Sequence, residues 1–550
     1  MQTSEIKHAR HKQRATWAAI GLIAVFVISG VATLKFYGLT WDEGLGNLFF
    51  GERYLFYLTT FRESFVDFKA ELPIHNRPLN LFLSPMREFP HEFPPVTDTL
   101  SAASMHLLSY TLGWMDAVDA FHVFKIALAG VFLWFLYRFV REEWGATAGL
   151  FSVFFLAFFP RFWGDMHFNP KDIPETIWFG LLVMAYYTWL KRQDAGRALL
   201  VGALFAAALG TKANAAFAPL ILILGLWQVK LPATTWKESV PFWLRDAWQY
   251  VLMGVTALSL YVASWPFVYV QNNPVSAVRK YFEFILSQGG RAGGADWSAQ
   301  PLIHSLTTIP LWMLAFLLIG MAVSVWMMLR KESPKWRLLL VWLVFPIARI
   351  SMPGMVNFDG IRHYMEYVPA AAILAGIGAQ WLAQQVKDLR RRNWALAGIA
   401  AGWLVSLVWI GLTLFPHVYI YYSPLIGGVA GARQHFGENE VTDYWASSYR
   451  LGMDWLNQNA PEGGLVYVLV ADYLVDMTAP LWLRDDLRVI HADDLESLLG
   501  QKQPLYVMLL RRPGYWNEQA QYVNQHFEPV HVFAAAGQPV LEIYLVEPQS

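Results

Sequence analysis

The chain has 550 residues, 55% of them hydrophobic and only 15% charged, with a mean hydropathy of +0.32. That balance is more apolar and less charged than soluble domains show, so a membrane protein is expected. Net charge is zero with no basic tail, which argues against a nucleic-acid partner, and the absence of cysteine excludes disulfides, cysteine–zinc sites and thiol nucleophiles.

Apolar runs of about 20 residues, the length that crosses ~30 Å of hydrocarbon, predict about eleven spans. They fall near 16–36, 117–138, 144–162, 173–190, 197–211, 214–229, 247–268, 303–329, 336–352, 363–383 and 394–416. Lys and Arg concentrate in alternate connections, among them Lys7 to Arg14, Arg138 and Arg141, Lys191 and Arg192, Arg330 to Arg337, and Lys387 to Arg392. The positive-inside bias makes that side cytoplasmic, with the amino terminus on it. An odd number of spans then places the loop 37–116 and everything after about 417 outside, in a multi-pass protein of the cell inner (plasma) membrane. The first run is longer than a signal-peptide core, and no small-x-small cleavage site precedes "WDE", so it is expected to remain as an anchor.

The outer loop 37–116 exceeds any simple connector, and loops of that length are usually functional. Its aromatic stretches read as interfacial helices, and 99–112 is too short to cross. The loop opens with "LTWDEGLGNLFFGERY", in which Thr40 and Glu43 have the spacing of a capping box. That accounts for Glu43 structurally and leaves Asp42 unexplained. A carboxylate at the rim of the bilayer beside Trp41 is a candidate general base, with Glu43 as a candidate helper.

The next outer turn, "FPRFWGDMHFNPKDIPETIW", places Asp172 and Glu175 at N-cap and N3 spacing, with Pro174 in the first helical turn. Capping is one reading of Asp172 and support for chemistry is the other. Lys171 opposes the macrodipole unless an anion sits at that helix terminus. Arg161 is a second candidate anion ligand, with interfacial snorkelling as the alternative. Further on, "NFDGIRHYMEYVP" sets Asp359, Arg362, His363 and Glu366 on one stripe if the segment is helical. Ionisable groups at membrane depth mark a site, unless they form a self-satisfied ladder of helix pairs. Lys212, in "GTKAN", lies on the same outer side. His75, His91, Asp165 and His167 are also outside but show no compact ligand spacing, so no cofactor is expected, with a divalent metal ion as the alternative.

After the last run, a helix is predicted over 442–459, followed by the strand-like runs "LVYVLV", "LRVI", "PLYVMLL" and "PVLEIYLV". The expected organisation is a transmembrane module, 1–416, and a small α/β extracytoplasmic domain, 417–550.

Nucleotide sugars are absent from the outer face, so a transferase there needs a donor that arrives through the lipid. A lipid phosphate fits the Arg and Lys candidates, because phosphate leaves as a stable anion that needs only cationic stabilisation. "WDEG", "FPRFWGDMHFNPKDIPE", "GIRHYMEYVPAAAILAGIG" and "GGVAGARQHF…TDYWASSYRLGMDWLN" together resemble the GT-C superfamily of polyprenyl-phosphate-dependent glycosyltransferases. The likeness is to the bacterial branch similar to glycosyltransferase family 39, which includes protein O-mannosyltransferase and aminoarabinose-transferase relatives. The resemblance implies a GT-C fold and an Asp42 base, with the lipid phosphate near Lys171 and Arg362. The short C-terminal α/β domain departs from the β-trefoil-type module of eukaryotic protein mannosyltransferases.

The sequence therefore predicts inverting transfer of a sugar from a polyprenyl-phosphate donor to a glycan, lipid or protein hydroxyl. Asp42, with Glu43, would act as base; Arg161, Lys171, Lys212 and Arg362 would hold phosphate; His167, Asp172, Asp359 and His363 would support them. The rival reading is a lipid or solute transporter, since intramembrane charges also mark transport paths. No internal repeat supports it, and most of the polar candidates lie on one side.

Overall fold

The computed structural model describes residues 2–68, 79, 81–85, 94–226, 236–270, 275–276, 279–281, 283, 296–492, 497, 499–500 and 503–547. His75 and His91 lie outside the described residues. A helix falls on every predicted apolar run. In chain order the helices are α1 (Gln2–Thr33), α2 (Leu48–Thr60), α3 (Val96–Met105), α4 (Ala117–Glu143), α5 (Ala146–Ala157), α6 (Pro160–Asp165), α7 (Asp172–Lys191) and α8 (Ala195–Leu209). There follow α9 (Ala218–Leu226), α10 (Trp236–Ala263), α11 (Pro266–Val270), α12 (Gln300–Thr308), α13 (Leu311–Leu329), α14 (Pro334–Ile350), α15 (Val368–Gln384) and α16 (Leu389–Leu414).

Four helices, at Gln13–Phe36, Ala117–Glu143, Leu311–Leu329 and Leu389–Leu414, are long and apolar enough to cross a membrane by length and composition. Others are shorter than their apolar runs: the run 303–329 is divided at Pro310 into α12 and α13. The 12 residues of α5 rise only about 18 Å at 1.5 Å per residue, so α5 is covered by α4, α1 and α15, which pack around it. The buried face of the bundle is continuous from Phe26 and Phe132 through Phe155 and Trp342 to Trp403, whereas Val405, Trp409 and Leu412 of α16 stay exposed, as a lipid-facing stripe would be.

The carboxy-terminal region contains α17 (Gly428–Phe436), α18 (Tyr449–Asn459), α19 (Tyr473–Trp482) and α20 (Glu518–His526) around a five-stranded mixed sheet of order β2-β1-β3-β5-β4. The strands are β1 (Leu465–Val468), β2 (Arg488–Val489), β3 (Leu505–Leu510), β4 (Pro529–Ala535) and β5 (Gln538–Val546). β1 runs parallel to β2 and β3, and β5 is antiparallel to β3 and β4. The predicted helix over 442–459 begins only at Tyr449. β4 was not anticipated: it is an edge strand whose residues alternate between half-buried and exposed, and register shifts interrupt its pairing.

This region shares a core with the segment between α1 and α4 and with the start of α4. Leu39, Leu48, Phe49 and Phe121 pack in one cluster with Tyr449, Val466, Leu474, Val507 and Leu541. The seam is tight at Gly44, where a Cβ would lie 2.4 Å from the Leu474 side chain. Arg450 of α18 fixes it with ion pairs to Asp119 at 2.6 Å and Asp116 at 3.2 Å. The loop that carries Asp42 is therefore clamped between the bundle and the sheet domain.

Candidate active site

Asp42 and Glu43, neighbours in sequence, have different environments. Residues 43–47 form a wide helical turn that leads into α2, and Glu43 points inward with no exposed side-chain surface. Its carboxylate accepts from Lys125 Nζ at 2.5 Å, His122 Nε2 at 3.0 Å, Thr40 Oγ1 at 2.8 Å and Thr40 N at 3.2 Å. The capping-box bond back to Thr40 N is present, but the Thr40 hydroxyl donates to Glu43 and the main partners come from α4. Burial pushes the Glu43 carboxyl up, and His122 and Lys125 beside it overcome this and hold it at about 2. Lys125 also donates to the Phe168 carbonyl at 3.2 Å, so one buried cation joins the loop that carries Glu43 to the turn before α7.

Asp42 points the other way, with its side chain one-third exposed (34%), and accepts from an Arg362 guanidinium nitrogen at 3.0 Å. Arg362 also pairs with Asp359 at 3.1 Å and lies 3.4 Å from Asp172. Its guanidinium sits 4.3 Å from the Trp445 ring centroid. Asp172 in turn holds Lys212. Residues from four separate segments thus meet in one charge cluster at one end of the bundle.

The segment 359–366 is not the helical stripe that its spacing suggests. Asp359 and Gly360 both have positive φ, 57° and 75°; residues Arg362–Tyr367 form a 3-10 segment broken at Tyr364; and α15 starts at Val368. Pro369, in the first turn of α15, is the sequence signal for that later start. Gly360 is required by close approach as well as by φ, since a Cβ there would stand 2.7 Å from an Arg161 guanidinium nitrogen. The predicted Asp359–Arg362 pair forms, but Glu366 pairs with Arg349 at 3.2 Å instead of with His363. The His363 ring packs 4.4 Å from Phe358.

Lys171 precedes α7 as its N-cap residue. The anion beside it is a residue that sequence reasoning missed, Asp98 of α3, which accepts from Lys171 Nζ at 2.6 Å. Burial pushes the Asp98 carboxyl up and Lys171 opposes the shift. Capping of α7 falls to Asn169, whose side-chain oxygen accepts from the backbone N–H of Lys171 at 3.1 Å and of Asp172 at 2.8 Å. Asp172 is therefore not the cap, and its carboxylate is left for Lys212 and Arg362. Arg161 does not snorkel: it is 1% exposed, donates to Tyr444 Oη at 3.1 Å, and has Nε and one terminal nitrogen without a hydrogen-bond partner among the described residues.

His167 is fully buried, stacked on Tyr37 at 4.3 Å, with Nε2 against Thr33 Oγ1 at 2.9 Å and Nδ1 against the Trp163 carbonyl at 2.9 Å. Burial lowers its pKa to about 3, so it is neutral with both nitrogens engaged. Asp165 is also buried, both oxygens lack a hydrogen-bond partner among the described residues, and burial raises it to about 8 against the pull of Arg161. An unfolded Asp ionises near about 4, so the folded chain keeps a proton there that the unfolded chain releases. That contribution to stability is complete below about pH 4 and is lost as pH rises through the folded value near 8. Asp165→Asn mimics the protonated form, and its Tm advantage over the parent should grow from pH 5 to pH 8; parallel Tm–pH curves would refute the assignment. Among the described residues, metal-ligand spacing occurs at Asp472, Asp476 and His491, whose ligand atoms lie within 4.8 Å of one another on the exposed sheet domain.

Among solved structures, ArnT from Cupriavidus metallidurans bound to undecaprenyl phosphate aligns with 13% identity and a TM-score of 0.51, over 96% of this chain and 99% of that one. The chain has the GT-C fold. Two further GT-C structures align at lower scores. The oligosaccharyltransferase of Archaeoglobus fulgidus matches at 11% identity, over 93% of this chain and 73% of that one, with a TM-score of 0.45. The arabinofuranosyltransferase AftD from Mycobacteria matches at 15% identity, over 96% and 40%, with a TM-score of 0.42. The family profile described as dolichyl-phosphate-mannose-protein mannosyltransferase matches residues 94–265, from the start of α3 through α10, a span that includes Lys171, Asp172 and Lys212. A comparison with curated sequences finds no significant match. The candidate site also draws on residues that the sequence reading did not single out: Asp98, His122, Lys125, Glu440, Tyr444, Trp445 and Arg512. The stretch "TDYWASSYR" was the available signal for Tyr444 and Trp445, through resemblance alone.

Proposed function

We propose that this multi-pass membrane protein transfers a sugar from a polyprenyl-phosphate donor to an acceptor hydroxyl at the extracytoplasmic face, with inversion. The observation that carries the reading is the Asp42–Arg362 contact at 3.0 Å, which joins a partly exposed carboxylate to a largely buried arginine from a segment 320 residues away. Asp42 removes the acceptor proton as the acceptor oxygen bonds to the anomeric carbon. The bond from that carbon to the phosphate oxygen breaks, and its electron pair leaves with the lipid phosphate. Arg362 stabilises the departing oxygens, helped by the Arg161 nitrogens that have no hydrogen-bond partner among the described residues, and Lys212 and Lys171 add positive charge from farther out. Each of those two lysines is already paired with a carboxylate, so their part is long-range stabilisation of the anion.

The Asp42–Arg362 contact puts the proposed base and the proposed phosphate ligand in direct competition. An incoming phosphate competes with Asp42 for Arg362, and each contact it wins frees the carboxylate to accept a proton. Donor binding thereby arms the base. In this reading the amino terminus is cytoplasmic and residues 417–550 form an extracytoplasmic domain that covers the site.

Loss of a charge-assisted contact costs about 1.5–3 kcal/mol. Arg362→Ala should therefore weaken binding of undecaprenyl phosphate about 10- to 100-fold, and Lys171→Ala should weaken it less, because Asp98 already satisfies that ammonium. Titration of undecaprenyl phosphate by native mass spectrometry decides the matter. Unchanged affinity in Arg362→Ala would remove this cluster as the phosphate site.

A further inference from the structure

Asp359 is 1% exposed and uses its two carboxylate oxygens on two different arginines. Oδ2 accepts from Arg362 at 3.1 Å, and Oδ1 accepts from Arg512, in the turn after β3, at 2.9 Å. We infer that Arg512 is a positioning residue for Arg362, so that the carboxy-terminal domain completes the phosphate site. This rests on the reading of Arg362 given above.

Other contacts of the same turn support it. Arg512 is buried (8% exposed), and its other terminal nitrogen donates to the Tyr444 carbonyl at 2.8 Å. Its guanidinium lies 4.8 Å from the Tyr515 ring and 5.7 Å from the ring of Trp41, the residue before Asp42. The backbone N–H of Asp359, at positive φ, donates to Glu440 Oε2 at 2.6 Å. Three carboxy-terminal residues, Glu440, Tyr444 and Arg512, therefore set where the Asp359 carboxylate stands, and Asp359 sets one edge of Arg362.

The consequence follows from arginine–carboxylate geometry. A carboxylate with both oxygens free prefers to engage an arginine through two parallel N–H bonds. Arg512 occupies one oxygen of Asp359 and limits Arg362 to a single bond there, which leaves another guanidinium nitrogen for Asp42 and, in turn, for phosphate. Without Arg512, the orphaned oxygen of buried Asp359 draws Arg362 into a two-bond pair and away from the site. Displacement of a positioned group by about an ångström is enough to cost an order of magnitude or more.

The test is the affinity of the full-length protein, in lipid nanodiscs, for undecaprenyl phosphate. Arg512→Met should weaken it about tenfold, Asp359→Asn should weaken it similarly because Arg362 then loses its charged anchor on one edge, and the double variant should be no worse than Asp359→Asn alone, because Arg512 acts on Arg362 only through Asp359. Arg512→Lys, which keeps one charged donor, should recover part of the loss. Asp359→Asn alters no residue of the sheet domain, so it carries the test if Arg512→Met fails to fold. Parent-like binding in Arg512→Met or Asp359→Asn, with binding lost in Arg362→Ala, would overturn the positioning role and leave the phosphate site standing. Additive losses in the double variant would overturn it as well. Parent-like binding in Arg362→Ala would refute the phosphate site and this inference with it.

Discussion

Asp42→Asn is expected to lower glycosyl transfer by about 10²–10⁴, the usual contribution of a positioned general base. Asn keeps the size and hydrogen bonding of Asp but cannot take the acceptor proton. Binding of undecaprenyl phosphate should persist or tighten, because the competing carboxylate on Arg362 has gone. That combination, slow transfer with intact donor binding, distinguishes a base from a structural anion, whose loss would disturb both. Single-turnover transfer and lipid binding measured on one preparation decide it, and full transfer by Asp42→Asn would move the base elsewhere.

The neighbouring acid should behave in the opposite way. The capping-box reading of Thr40 and Glu43 makes Glu43→Gln mild, since Gln serves at that position. The structure reverses this: Glu43 neutralises Lys125, which has no exposed side-chain surface. Removing one partner of a buried pair costs about 3–5 kcal/mol, because the other charge is left uncompensated. Glu43→Gln should therefore lose stability on that scale, seen as a lowered Tm and poor yield, and Glu43→Gln with Lys125→Met should regain much of it. The parent contact resists acid: its contribution is present above the unfolded carboxyl value of about 4.3 and is lost only as pH falls through about 2. A single variant as stable as the parent would show that the pair contributes nothing.

The contrast between these two acids also marks how far sequence alone reaches. Apolar runs locate the main bundle helices, because crossing lipid demands long runs of one chemistry, although the run 303–329 is divided at Pro310, and the β-branched runs locate four of the five strands. Local spacing is less informative about partners. T-x-x-E at Thr40 is a true local contact, yet Glu43's principal partners are 79 and 82 residues away. Asp359 to Glu366 fits an α-helical stripe, but positive φ at Asp359 and Gly360 prevents one. Lys171 pairs with Asp98 of a different helix, a partner that the local spacing around the α7 terminus does not reveal. Arg512 carries no sequence signal, because its role exists only once the sheet domain closes on the Asp359 turn.

The most direct test of lipid-linked transfer is to incubate the nanodisc-embedded parent and Asp42→Asn with a polyprenyl-phosphate lipid extract and a cell-envelope fraction as acceptor. Mass spectrometry then follows the glycosyl-polyprenyl phosphate. The parent should convert it to free polyprenyl phosphate and move the sugar mass onto an acceptor, while Asp42→Asn binds the same lipid and leaves it intact. Recovery of the glycosyl lipid unchanged from the parent, or equal turnover by both proteins, would contradict the account.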